Sequence, residues 1–123
     1  GTVAYVKPVG KKSKSITIAV SAVLDGHTFK VVAVSAKAYK GCSKLQKVTI
    51  GKNITSIGKQ AFAGCKKLRK ITIKSTKLKS SSIGKNAFKG TAKKLTFKVP
   101  KKKYKAYKKF LKKKGNKTVK VTK

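Results

Sequence analysis

Three short triplets of apolar, polar and apolar residues recur along the chain: Val48-Thr49-Ile50, Ile71-Thr72-Ile73 and Phe97-Lys98-Val99. Alternation at period two describes a strand with one buried face. Val48, Ile50, Ile71, Ile73, Phe97 and Val99 are therefore expected in a core, and Thr49, Thr72 and Lys98 on an exposed sheet face. Ahead of each triplet stands a pentad of small residue, aromatic, variable residue, glycine and small residue: Ala38-Tyr39-Lys40-Gly41-Cys42, Ala61-Phe62-Ala63-Gly64-Cys65 and Ala87-Phe88-Lys89-Gly90-Thr91. The pentads begin at 38, 61 and 87, so the period is 23 residues and then 26. The surplus lies between Ile73 and Ile83, ten positions apart where Ile50 and Ile57 are seven apart, and reads as a loop insertion in one unit.

Other apolar positions keep the same register. Val34, Ile57 and Ile83 precede the alanine by four, and Leu45 and Leu68 share a position from which Leu95 has slipped by one. A period of 20–29 residues with one strand and one turn per unit is the leucine-rich-repeat pattern. The predicted fold is mainly β with short helical turns, a solenoid of about three repeats. The pentad aromatic should point inward from its turn, and the pentad glycine should allow a positive φ or a close backbone approach.

The run from Val48 to Ile73 follows I-x-I-G-x-x-I-T-x-I-G-x-x-A-F-x-G-C-x-x-L-x-x-I-x-I almost position for position. In this it resembles the BspA-like leucine-rich repeats of bacterial cell-surface proteins, over roughly residues 16 to 100. The third copy departs by Thr91 in place of cysteine and by the shifted Leu95. The resemblance implies a secreted or surface-exposed binding module, extracellular or in the cell wall, without catalytic activity.

The flanks read as caps on a single domain, since 123 residues leave little length for a second core. Residues 1–33 hold one more triplet, Ile16-Thr17-Ile18, and a hairpin from Val23 to Val31 about Asp25-Gly26, a strong two-residue turn signal. That hairpin is expected to cover the open edge of the first repeat. Residues 34–100 are the repeats. In residues 101–123, Tyr104, Tyr107, Phe110 and Leu111 share one helical face, Gly115 follows as a stop, and Val119 and Val121 form a last strand. A lysine-rich helix after the last repeat also resembles the C-terminal ends of such proteins. The chain opens at Gly1, which reads as a processed or internal start of a longer protein. No stretch approaches the roughly 20 apolar residues that span a bilayer.

The charge of the chain is large and one-sided. Against 35 Lys and Arg stands one acid, Asp25, for a net charge of +34. Lysine stems must lie over apolar groups with their heads in water, and self-repulsion should make salt or a bound polyanion an aid to folding. Arg69 is the one arginine. Arginine reads guanine edges bidentately, whereas lysine neutralises phosphate or sulfate as a point charge, so sequence-specific nucleic-acid recognition is not expected.

Candidate chemistry is sparse. Acid–base or triad catalysis needs a positioned base and its orienting partner, and only Asp25 and His27, flanking a turn, could supply them. Cys42 and Cys65 fall at equivalent places in adjacent units, about 5 Å apart when stacked, within reach of a disulfide. Thr91 at the third such place points instead to two reduced, buried thiols, and the pair lacks companions for zinc. Tyr39, Phe62, Phe88, Tyr104, Tyr107 and Phe110 read as core and not as platforms for stacked bases. No enzyme activity, cofactor or metal is expected. The densest charge is the lysine set Lys101, Lys102, Lys103, Lys105, Lys108, Lys109, Lys112, Lys113 and Lys114, predicted to bind polyanions. The expected partners are a host glycosaminoglycan or matrix protein, or teichoic acid. Non-specific nucleic acid is an alternative, as is a structural cap on a larger secreted enzyme or toxin.

Overall fold

Residues one repeat apart become lateral neighbours when strand-turn units of equal length stack, and a parallel sheet is the result. The computed structural model describes residues 2–5, 14–18 and 21–123. Of the predicted N-terminal cap, residues 1, 6–13 and 19–20 lie outside that set. The strands are β1 (Thr2–Tyr5), β2 (Ser15–Ile18), β3 (Ser21–Leu24), β4 (His27–Val34), β5 (Lys47–Ile50), β6 (Ser56–Ile57), β7 (Lys70–Ile73), β8 (Thr96–Lys98) and β9 (Lys120–Thr122), with one α-helix, α1 (Tyr104–Leu111).

Five strands form the main sheet in the order β2-β5-β7-β8-β9, all parallel. Their register aligns Ile16, Val48, Ile71, Phe97 and Val121 in one row and Thr17, Thr49, Thr72, Lys98 and Thr122 in the next. Val48, Ile50, Ile71, Ile73, Phe97 and Val99 are buried, Thr49 and Thr72 are half-buried and Lys98 is exposed, so the strand phase is the one the triplets predict. Across the core a narrower ladder joins Ala33 and Val34 of β4 to β6, and Ile57 to Ile83. Leu95 is buried like Leu45 and Leu68. Its one-residue slip is absorbed beside Thr91, because the turn bond that Leu68 N–H donates to Cys65 is donated by Leu95 to Ala92.

The pentads are hydrogen-bonded turns and not helices, and the reason lies in where their amides point. Alternate N–H groups leave the unit: Tyr39 donates to the Ala61 carbonyl, Phe62 to Ala87 and Phe88 to Lys114, at 2.8–2.9 Å. The intervening Ala38, Lys40 and Cys42 close tight turns on Ser35, Lys37 and Tyr39. A helix would need those outgoing amides for itself. The glycine φ of 75–77° in all three pentads turns the chain back toward the sheet. Gly58 and Gly84 serve another end, since a Cβ on either would collide with the backbone of Ala36 or Lys59 in the preceding unit.

The turns place an aromatic column through the core. Tyr39 and Phe62 stack at 5.3 Å and 2°, and Phe62 and Phe88 at 5.9 Å and 8°. Phe97 stands where Val48 and Ile71 stand in the earlier strands and ends the column edge-on to Phe88, at 4.9 Å and 75°.

The caps differ from expectation in which segment covers which edge. The hairpin β3–β4 forms about Asp25 and Gly26, both at positive φ, and β4 continues from it into the first repeat. It does not cover the main sheet. There β2 takes the edge by pairing with β5, because Ile16-Thr17-Ile18 already has the strand phase, while β1 pairs with β4. At the other end β9 extends the main sheet beyond β8. The helix is shorter than the lysine run: Lys101–Lys103 form a 3₁₀ turn, and Lys112–Lys114 lie past Leu111. It stops there because the Lys114 carbonyl must accept the Phe88 amide and so take up the next pentad place in the stack.

Phe62 touches the column on both sides, so Phe62→Ala should lower unfolding stability by about 3–5 kcal/mol. Urea denaturation reads this directly, and a loss below about 1 kcal/mol would contradict a continuous aromatic column.

Candidate polyanion-binding surface

The C-terminal helix is fixed by its apolar face. Tyr107 and Leu111 are fully buried, and Tyr104 and Phe110 are partly so. The Tyr107 hydroxyl donates to the Ser75 carbonyl at 2.7 Å and accepts from the Leu78 amide at 3.2 Å. Ser75, itself buried, donates its hydroxyl to the Ile54 carbonyl and accepts from the Lys77 amide. The loop insertion seen in the sequence is therefore the socket into which the helix docks. Burial pushes the Tyr107 phenol up from its ordinary pKa, against the smaller opposing effect of the Leu78 hydrogen bond.

Docking that face leaves Lys105, Lys108, Lys109 and Lys112 on the outer side of the helix. With Tyr104 they line a shallow depression of about 580 Å³. Two ammonium groups approach the ring of Tyr104, with Lys108 Nζ 5.4 Å and Lys123 Nζ 5.2 Å from its centroid. Of the nine predicted site lysines the structure thus gathers four. Lys101, Lys102 and Lys113 are exposed beside them, and Lys103 is half-buried. Lys114 turns away, donating to the Ser80 carbonyl at 2.7 Å.

A second basic concavity, of about 530 Å³, escaped the sequence reading. Lys47, Arg69, Lys70, Lys94 and Lys98 line it, with Thr96 and Thr122, on the open face of the main sheet. The signal was present: Lys47 and Lys70 each precede a triplet, share the outward phase of Thr49 and Thr72, and are register partners on adjacent strands. Like charges directly opposite each other weaken a sheet, and the chain's one acid, Asp25, sits exposed on the hairpin turn. Asn116 was missed too. Its Nδ2 donates to Thr91 Oγ1 at 2.8 Å and to the Ala92 carbonyl, and its Oδ1 accepts from the Thr118 amide. Thr91 donates in turn to the Phe88 carbonyl. A hydroxyl replaces the thiol in the third pentad because the closing turn needs that polar partner.

Among the described residues the remaining titratable and nucleophilic groups lie apart from one another or are buried. Asp25 and His27 are exposed on the hairpin. Cys42 and Cys65 are buried thiols outside any disulfide, and Cys65 Sγ donates to the Tyr39 carbonyl at 3.1 Å. Burial first, and the neighbouring Cys42 second, push the Cys65 pKa up to about 12, against the lowering effect of a backbone hydrogen bond at Cys42, so its nucleophilic thiolate is suppressed. Among the described residues no group of three His, Cys, Asp or Glu could hold a metal, and no helix is long and apolar enough to cross a membrane.

Residues 30–122 match the family model for the BspA type leucine-rich repeat region, in six copies. The chain belongs to this family. Among solved structures, this BspA-type chain resembles a leucine-rich cell surface protein from Faecalibacterium prausnitzii A2-165, with a TM-score of 0.62 and 21% identity over 80% of this chain and 32% of that one. A leucine-rich repeat protein from Bacteroides ovatus gives 0.52 and 26% over 69% and 29%, and one from T. pallidum gives 0.53 and 21% over 98% and 56%. The chain thus spans about a third of the first two proteins and about half of the third. No curated protein matches it.

Cys65 supplies a pH prediction. The unfolded thiol ionises near its ordinary 9.0 and the folded one near 12, so the folded state holds this proton more tightly. Its contribution to stability is intact below pH 9 and is lost as the pH rises toward 12. Cys65→Ala should be less stable than the wild type at pH 7, with the deficit shrinking above pH 9. Urea midpoints of the two proteins along the same pH series test this. Every other side chain is common to both, and a deficit independent of pH contradicts the assignment.

Proposed function

We propose that this BspA-type segment is a non-catalytic interaction module of a secreted or cell-surface bacterial protein that binds anionic polymers through the outer face of α1. The observation that carries this is the gathering of Lys105, Lys108, Lys109 and Lys112 in one depression, on a helix anchored by Tyr107, in a chain with a single acid. The partners that fit are sulfated host glycans, matrix proteins bearing them, and teichoic acid. The likeness to a protein described as a cell surface protein supports the location. Lysine's point charge implies affinity without pattern selectivity and a steep fall with salt, because released counterions drive association. Nucleic acid is the weaker candidate: Arg69 is the lone arginine, and Tyr39, Phe62 and Phe88 are buried in the core, where no base can stack on them.

Heparin and purified teichoic acid should bind near 0.15 M salt, where the screening length is about 8 Å, and should outcompete duplex DNA of matched charge. The combined variant Lys105→Gln, Lys108→Gln, Lys109→Gln and Lys112→Gln should lose most of that binding while unfolding no more readily than the wild type. Failure of heparin, teichoic acid and DNA alike to bind at that salt would sink the proposal.

A further inference from the structure

The two basic concavities are linked through the last residues of the chain. Thr122 lines the sheet concavity, and the next residue, Lys123, has its ammonium 5.2 Å from the ring of Tyr104, which lines the helix depression. Lys108 flanks the same ring from within that depression. A cationic path therefore leads from Lys47 and Lys70 on β5 and β7, past Lys98 on β8, off the end of β9 and onto α1. The crossing from β5 to β9 alone is three strand spacings, about 14 Å.

We propose that these concavities form one continuous track for a flexible, linear polymer of sulfate or phosphate esters, running across the strands and then along α1. This rests on the reading that α1 binds polyanions, and extends it to a second site and a minimum ligand length. Three features of the molecule point to this occupant. The register sets Lys47 directly beside Lys70 without an acid to separate them, so an anion lying across the strands relieves a repulsion built into the fold. The chain's one arginine, Arg69, lies in the sheet concavity, where its planar fork can hold a sulfate or phosphate bidentately. A path that leaves a sheet face for a helix suits a chain that bends within a few repeat units. Duplex DNA is stiff over about 50 nm and cannot follow it.

Two grooves on one polymer act bivalently, so affinity should grow with ligand length until both are filled and then level off. Calorimetric titration with heparin oligosaccharides of graded length, and with poly(glycerol phosphate) teichoic acid of matched charge, measures this on the wild-type protein. Whichever ester binds more tightly identifies the source of the anion. Two variants assign the ends: Lys47→Gln with Arg69→Gln and Lys70→Gln for the sheet, and the four-lysine variant for the helix. All the substituted side chains are exposed, and circular dichroism verifies each fold. For the long polymer each variant should weaken binding on the order of ten- to a hundredfold at 0.15 M salt and flatten the salt dependence. For the shortest oligosaccharide, held by one groove at a time, each should cost no more than about twofold. If the sheet variant binds long polymer as the wild type does while the helix variant does not, the track is wrong and the helix site stands. If neither variant changes binding, both readings fail. Affinity independent of length would overturn the track without reference to any variant.

Discussion

In-register stacking is the constraint from which the rest of this molecule follows. Each unit lays its residues over their counterparts about 4.8 Å away, so whatever a position holds is repeated along the axis. At the pentad aromatic this is favourable: Tyr39, Phe62 and Phe88 form a column of nearly parallel rings. At the position before each strand triplet it sets Lys47 beside Lys70. Core cohesion and surface repulsion are two consequences of one register.

Stacking leaves two ends to be closed, because an uncovered strand edge is a template for unwanted pairing. At one end β2 supplies a strand of the right phase without its own pentad. At the other, α1 takes the place of the insertion-bearing loop, the Lys114 carbonyl takes the place of a pentad carbonyl, and Asn116 ties the closing turn to Thr91. The docking of Tyr107 onto Ser75 and Leu78 joins the irregular loop of one unit to the helix that covers it. The three surplus residues are thus part of the cap.

Periodicity made most of this legible in the sequence. The phase of the triplets, the inward aromatics, the positive φ of the pentad glycines and the Asp25-Gly26 turn are local properties repeated three times or dictated by a single dipeptide. What stayed hidden occurs once and depends on residues far apart: the choice of β2 over the hairpin at the edge, the partnership of Asn116 with Thr91, and the end of the helix at Leu111. The lysine sites divide along the same line. The run from Lys101 to Lys114 stands out in the sequence, yet only the docked helix sorts Lys105, Lys108, Lys109 and Lys112 from Lys114. The sheet concavity draws Lys47, Arg69, Lys70, Lys94 and Lys98 from three units, and no window along the chain contains it.

A leucine-rich repeat fold does not by itself name a ligand; the proposal of an anionic one rests on the net charge of +34 and on where the register gathers it. Unrelieved repulsion between stacked cations should limit stability, and anionic polymers should remove it. Thermal unfolding measured first in increasing sodium chloride, and then at fixed low salt with added heparin, tests this most directly. The midpoint should climb with salt as screening shortens, and heparin should raise it equally or more at a far lower concentration of charge. A midpoint that is flat or falling in both series would contradict it.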